Sequence, residues 1–182
     1  MWKSEIEKIM RHDDTFIGCY PHDRLPNFNA RKNFGTIINT GDSGTIGEHW
    51  VAIKMTKHDC FYFDSFGLKI IEENIKKFAS NYDKVIYSNR CIQDFRSEKC
   101  GQFCIAFLKN VKTVNQYDRF INMFDDCNLY MNDFIVHDIV KQIQKSKNIR
   151  NIKTKKYILF KYKIEISASY CCFFSIYIQP FS

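Results

Sequence analysis

The spacing of apolar positions along this chain predicts an alternation of short strands and helices. Continuous apolar runs typical of buried strands occur at 34–39, 49–55, 60–64 and 85–87. Apolar residues three or four positions apart predict helices at 69–79, 100–111, 117–124 and 132–145. A capping box formed by Ser4 and Glu7 predicts one more helix, ending near Met10. These elements predict an α+β fold in which helices pack against a central mixed or antiparallel sheet.

The regular pattern weakens in two places. Gly18, Pro21 and Pro26 interrupt the segment 16–26 and predict a loop there. After Lys153, an alternating stretch at 157–166 predicts a strand, and the apolar residues that follow have no clear period. We therefore expect one domain over residues 1–153 and a tail over 154–182. The tail fits an added strand pair, a segment that binds a partner, or sequence without a folded role.

The net charge of +7 is concentrated at the end of the chain. Residues 141–182 contain nine Lys and Arg residues and one Glu, so the rest is close to neutral. Such a basic segment is typical of proteins that bind nucleic acid or an anionic surface, and equally of a solvated helix face. The candidate DNA-binding residues are Lys141, Lys145, Lys147, Arg150, Lys153, Lys155 and Lys156.

The chain has eight cysteines, and its first residues are charged and polar rather than leader-like. We therefore expect reduced thiols in an intracellular environment. No apolar run reaches the roughly 18 residues of a membrane-spanning helix, so we expect no membrane partner. Cys100 and Cys104 lie four positions apart, but no second pair at ligand spacing accompanies them, so no metal site is predicted.

Cys100 is the candidate nucleophile, because it begins a predicted apolar helix after a polar loop. The N–H groups at a helix N-terminus stabilise negative charge and therefore favour the reactive thiolate. Gln93 is seven residues earlier and can supply an amide to an oxyanion hole together with the Cys100 N–H. Gly101 leaves space beside the thiol for substrate backbone. Read alone, Gln93 is an ordinary surface residue and the Cys-Gly step a tight turn.

His49 and Asp64 are predicted to meet at one edge of the sheet. They stand at the outer ends of two strands joined by a short turn, 15 residues apart, which brings them side by side in an antiparallel hairpin. The imidazole then takes the thiol proton, and the carboxylate orients the ring. The alternatives are a packed core histidine and an ordinary turn carboxylate.

The order His49-Trp50, Asp64, Gln93 and Cys100-Gly101 resembles that of the adenovirus protease (adenain) family, a relative of the SUMO-specific proteases. Segments 16–26, 36–40 and 47–50 are also similar to segments of that family. The resemblance covers about Ser4 to Val111, fades towards Lys145 and ends there. It implies a cysteine endopeptidase with Cys100 as nucleophile, His49 as base, Asp64 as third member and Gln93 in the oxyanion hole.

The resemblance also implies viral precursor proteins as substrates, cut after small residues such as glycine in a narrow groove beside Trp50. It implies a location in the host nucleus or the virion, no required cofactor, and stimulation by DNA. Adenovirus proteases also bind an activating peptide through a cysteine, but Tyr82 occupies that position here, which argues against covalent activation.

Three other functions use the same residues or the same fold. A SUMO or ubiquitin-like isopeptidase would cleave a folded modifier. An acetyltransferase would turn over acetyl-CoA at Cys100. An inactive relative would bind DNA in a salt-sensitive way while Cys100 resisted alkylation at neutral pH.

Overall fold

Six strands form one mixed sheet in the part of the chain that the structure, a computed structural model, describes. The described residues are 1–27, 33–45, 48–80, 82, 84–148 and 177–180, with the backbone alone for 147, 148 and 177–180. The sheet order follows the chain: β1 Phe16–Pro21, β2 Phe34–Asn39, β3 Trp50–Met55, β4 Cys60–Phe63, β5 Lys84–Tyr87 and β6 Tyr177–Pro180. Strands β1 and β2 are parallel, as are β4 and β5, and the other neighbours are antiparallel. The predicted α+β fold with a mixed sheet is confirmed.

The helices of the described chain are α1 Lys3–Met10, α2 Glu73–Ala79, α3 Cys100–Asn110, α4 Val114–Ile121 and α5 Leu129–Asn148. Helix α3 is central, because it packs on β2 and β3 of the sheet and also contacts α1, α4 and α5. Most of its residues are buried, among them Phe103, Cys104, Phe107 and Leu108, which the helical spacing predicts to share one buried face. Cys100 is its first residue, so the thiol lies at the N-terminus of the central helix.

Two hydrophobic cores lie on the two faces of the sheet, because successive strand residues point to opposite sides. Ile37, Ala52 and Phe63 face α3 in the larger core. Their chain neighbours Ile38 and Val51 face the smaller core, to which α2 contributes. Burial on both faces explains why β2, β3 and β4 are continuous apolar runs rather than alternating ones.

The loop prediction for 16–26 is wrong over its first six residues, which form strand β1. Gly18 has φ +126°, and the pairing register with β2 shifts between Phe16 and Gly18. The glycine therefore makes an irregularity within an edge strand instead of ending it. Pro21 is the last residue of the strand, where a missing N–H is tolerated.

Four helix starts also differ from the prediction. Helix α4 begins at Val114 rather than at residue 117, and α5 begins at Leu129 rather than at residue 132. Helix α1 begins at Lys3, and the Glu5 carboxylate accepts a hydrogen bond from the Trp2 N–H (2.7 Å), so Ser4 is not the N-cap. Helix α2 begins at Glu73 rather than at residue 69. Ile71, which suggested the earlier start, is mostly exposed.

The predicted tail contributes a strand to the sheet. Strand β6 pairs antiparallel with β5, with Tyr177 opposite Tyr87 and Pro180 opposite Lys84. Residues 154–176, including the strand predicted at 157–166, lie outside the described residues, so the boundary near Lys153 stays a prediction. No helix in the described ranges has the length and apolar character needed to cross a bilayer.

Candidate active site

The β3–β4 hairpin brings His49 and Asp64 into contact. His49 immediately precedes β3 and Asp64 immediately follows β4, and the antiparallel register pairs Ala52 with Phe63 near these ends. The imidazole Nε2 lies 3.0 Å from the carboxylate Oδ1 of Asp64. Both side chains are largely shielded from solvent, with 14% of His49 and 4% of Asp64 exposed. This bond occupies Nε2 and leaves Nδ1 as the ring nitrogen available to a reacting group.

The turn after β4 holds the Asp64 carboxylate in place. Its Oδ1 also accepts a hydrogen bond from the Phe66 N–H (2.7 Å), and its backbone carbonyl accepts one from the Gly67 N–H (3.0 Å). Gly67 has φ +72°, and a Cβ there would lie 2.6 Å from the carbonyl oxygen of Asn89. The turn therefore requires glycine at this position for two reasons. The sequence Asp-Ser-Phe-Gly fixes the orientation of the carboxylate that bonds to the imidazole.

Cys100 and His49 form a coupled pair. Burial alone would raise the pKa of the Cys100 thiol, but a hydrogen bond to His49, the imidazolium charge and backbone hydrogen bonds from Trp50 and Gly101 lower it below 9.0. Burial alone would lower the pKa of His49, but the hydrogen bonds and charges of Asp64 and Cys100 raise it to about 9. Both shifts are in the direction that favours a thiolate beside an imidazolium.

The other described cysteines that have shifted pKa values are shifted in the opposite direction. Burial raises the pKa of Cys19 and of Cys60 to about 12, and that of Cys104 well above 9.0. Burial also raises the pKa of Cys91. The six described cysteines are free thiols, and among them Cys100 has the lowered pKa. Cys104 lies in the core, as the helical spacing predicts, and its Sγ donates to the Trp50 carbonyl (3.2 Å).

Gln93 is a buried side chain held at both ends of its amide. The Ser65 hydroxyl donates to its Oε1 (2.6 Å), and its Nε2 donates to the Ser97 carbonyl (2.7 Å). The side chain lines the same cavity as Cys100 and His49. Among the described residues Nε2 has one acceptor, so its second amide hydrogen takes no part in this bonding, and the oxyanion role stays a prediction. Gln93 is therefore not the ordinary surface residue of the alternative interpretation.

Cys100, His49 and Gln93 line a cavity of about 710 Å³. Trp50 forms another part of its wall, and the Trp50 Nε1–H donates to the Met1 carbonyl (3.1 Å). The first residues of the chain therefore narrow the cavity on this side. Gly101 is buried beneath them, where a Cβ would lie 3.1 Å from Ile6 Cδ1 and 3.3 Å from Met1 atoms. Its missing side chain makes room for α1, and its role in substrate binding stays a prediction.

Two site residues were missed by the sequence analysis. Ser65 orients Gln93, and Phe66 stacks on the His49 ring with centroids 4.5 Å apart. Both lie in the turn that follows Asp64, so their position beside a candidate catalytic carboxylate was the available signal. Ser65 contacts Gln93 and Phe66 contacts His49, and both partners are distant in the sequence. The periodicity of apolar residues does not predict such contacts.

The predicted basic residues are only partly described. Lys141 and Lys145 are exposed on α5, whereas the side chain of Lys147 and residues Arg150, Lys153, Lys155 and Lys156 lie outside the described part. Among described residues, three exposed groups lie close enough together to bind a metal ion: Asp125, Asp126 and Cys127. None of the three lines the cavity.

An α+β fold with a thiol at a helix N-terminus, facing a carboxylate-bound imidazole, is the arrangement found in cysteine peptidases. The family model described as adenovirus endoprotease matches residues 16–172. The chain therefore belongs to the adenovirus endoprotease family. The match extends beyond Lys145, where the resemblance noted in the sequence ended, into the predicted tail.

Individual relatives carry the name protease. The chain is 30% identical over 131 residues to the protease of Human adenovirus B serotype 3, covering 58% of this chain and 60% of the relative. It is 28% identical over 125 residues to that of Bovine adenovirus C serotype 10, covering 56% and 64%. With Frog adenovirus 1 the identity is 31% over 111 residues, covering 51% and 53%. The chain thus spans between half and two thirds of the length of these relatives.

Proposed function

We propose that the protein is a cysteine endopeptidase that uses Cys100 as nucleophile, His49 as acid and base, and Asp64 to orient the imidazole. Gln93 and the Cys100 N–H bind the oxyanion. The observation that supports this most directly is the placement of His49 between Cys100 and Asp64 at the cavity. In this arrangement the pKa of the Cys100 thiol is lowered and the pKa of the His49 imidazole is raised.

The proposed reaction has two halves. The Cys100 thiolate attacks the peptide carbonyl carbon, and the oxyanion accepts hydrogen bonds from Gln93 and the Cys100 N–H. When the C–N bond breaks, the His49 imidazolium gives its proton to the leaving amine, which leaves a thioester on Cys100. His49 then takes a proton from water, the hydroxide attacks the thioester, and the thiolate returns with the acid product. No metal ion enters this sequence of steps.

For substrates, we propose viral precursor proteins cut after small residues such as glycine, in the host nucleus or the virion. The relatives come from adenoviruses, which supports a viral setting. Trp50 and the Met1 segment narrow one side of the cavity, and a narrow groove favours a residue without a large side chain. Cleavage of a folded ubiquitin-like modifier instead of an extended peptide would favour the isopeptidase alternative.

Two measurements test this proposal: the alkylation of Cys100 at pH 7 and the pH dependence of peptide cleavage. With iodoacetamide at pH 7, we expect Cys100 to be labelled first, because its thiol is the described one with a lowered pKa. Cleavage of a glycine-containing peptide should fall as pH rises through about 9, since His49 then loses the proton that it gives to the leaving amine. Peptide mapping identifies the labelled thiol. Preferential labelling elsewhere, or no cleavage at any pH, would reject the proposal.

Replacement of Gln93 by alanine should lower kcat by about 10²–10³, because one oxyanion donor is lost. The rate of Cys100 alkylation should remain unchanged, since alkylation by iodoacetamide forms no oxyanion.

Ser65→Ala keeps the Gln93 amide but removes the hydroxyl that holds it, so we expect a smaller loss in kcat of about tenfold. Steady-state kinetics and alkylation rates measured on the same samples separate these effects. A parallel loss of alkylation in Gln93→Ala would indicate a structural role instead.

We also propose that DNA stimulates the enzyme by binding basic side chains on α5. Lys141 lines a groove together with Lys8 and Arg11 of the α1 region, which adds two cations to those predicted from the sequence. Such binding would weaken steeply as salt concentration rises. A covalent activating peptide is not part of the proposal, because Tyr82 occupies the position of the accepting cysteine and its hydroxyl donates to the Thr56 carbonyl (2.7 Å).

A further inference from the structure

Phe95 is a large apolar side chain that is 73% exposed at the rim of the active-site cavity. It is the outer member of a stack of three rings. The Phe95 and Phe66 centroids are 5.0 Å apart with 24° between the ring planes, and Phe66 lies 4.5 Å from His49 at 21°. The stack therefore runs from the imidazole to the surface and presents a phenyl ring to whatever occupies this side of the cavity.

The loop carrying Phe95 is held by its own hydrogen bonds. The Asp94 carboxylate accepts a hydrogen bond from the Arg96 N–H and pairs with the Arg96 guanidinium, both at 2.9 Å. The Ser97 N–H donates to the Asp94 carbonyl (2.9 Å). The phenyl ring is thus fixed in an exposed position, and the charges on either side of it are paired with each other. An exposed ring at a cavity rim offers apolar surface that a side chain of a bound peptide can cover.

The proposed reaction defines which part of a substrate reaches this ring. His49 protonates the leaving amine, so the residue that follows the cleaved bond must lie next to the imidazole. Phe66 already covers one face of that imidazole, and Phe95 continues the wall outward. In the proposed function, Gln93, two residues before Phe95, binds the carbonyl oxygen of the same bond. The chain on the leaving-group side therefore passes over Phe95.

We propose that Phe95, supported by Phe66, forms an apolar subsite for the side chain of the residue immediately after the cleaved bond. This inference rests on the proposed function. It adds a preference for leucine or phenylalanine over serine or aspartate at that position, because such a side chain covers the exposed ring and is itself removed from water. The preference is separate from the small residue expected before the bond.

Two peptides that share glycine before the cleaved bond, and differ only in leucine or serine after it, test the subsite. We expect kcat/KM to favour the leucine peptide by about tenfold, the lower end of what one methylene group gives in an enclosed apolar pocket, because Phe95 lies at an open rim. Phe95→Ser should bring this ratio close to 1, whereas Phe95→Leu should retain most of it. The matched control is Phe134→Ser. Phe134 lies on α5 outside the cavity and is 50% exposed, so this variant should keep the full ratio.

A second measurement observes the subsite after acylation. An ester substrate loads Cys100 with the same acyl group in every variant, and leucine amide or serine amide then competes with water for it. Wild type should transfer the acyl group to leucine amide several times more often than to serine amide, and Phe95→Ser should lose the difference. Cleavage without preference, or equal ratios in wild type and Phe95→Ser, overturns the subsite alone. Failure of every peptide and ester to react overturns the proposed function as well.

Discussion

Cys100→Ala is expected to reduce peptide cleavage to the background rate, a loss in kcat of about 10⁶. The remaining described thiols with shifted pKa values are kept protonated by burial, so none of them replaces the lost thiolate. Purified wild type and variant should be compared on the same glycine-containing peptides, with DNA added and omitted. Equal turnover by the two proteins would end the hypothesis of a Cys100 nucleophile.

The loss should occur without unfolding of the protein. Alanine is the best helix former, and Cys100 is the first residue of α3, so the helix has no reason to shift. A thermal unfolding curve checks this expectation. Cys127→Ala provides the control for removal of a thiol as such, because Cys127 is exposed and lies outside the cavity. We expect Cys127→Ala to retain wild-type cleavage.

Asp64→Ala is expected to lower kcat by about 10⁴. The imidazole loses its partner at Nε2, and the Phe66 N–H loses its acceptor, so both the ring and the turn that supports it are released. The Asp64 charge helps to hold the pKa of His49 at about 9, so its removal lowers that pKa. The alkaline fall in cleavage should therefore move to lower pH in the variant. A pH–rate profile for kcat measures both effects.

Asp64→Asn separates the charge from the hydrogen bonds. The amide oxygen of asparagine can still accept from His49 Nε2–H and from the Phe66 N–H, so geometry is retained while the negative charge is lost. We expect the same direction of change in the pH profile as with alanine, and a loss in kcat of at most about 10⁴. If both variants kept the wild-type profile, Asp64 would be a turn residue without influence on the imidazole.

The fold was most predictable where both faces of an element are buried. Continuous apolar runs identified β2 to β5, and the short turn between β3 and β4 was enough to predict that His49 and Asp64 meet, at 3.0 Å in the structure. Strand β1 was missed because Gly18 and Pro21 are also loop signals, and only pairing with β2 distinguishes an irregular edge strand from a loop. The pairing partner is a tertiary feature that local sequence does not contain.

The supporting residues of the site were the least predictable part. Ser65, Phe66 and Phe95 belong to no apolar period, and their roles depend on groups that the fold brings to them. Gly101 illustrates the opposite case. The Cys-Gly step was noticed in the sequence, but the space that glycine leaves is filled by Met1 and Ile6. The Cys-Gly motif predicted open space beside the thiol, but the packing of α1 fills the space next to Gly101.

The turn after β4 has a mechanical consequence. Asp64 bonds to the imidazole of His49, and the adjacent Ser65 bonds to the amide of Gln93, so neighbouring residues of one turn hold both candidate catalytic groups. Gly67 packs this turn against the backbone of Asn89, where a side chain at position 67 would not fit. Under the proposed mechanism, a shift of this turn would therefore change proton transfer and oxyanion binding together.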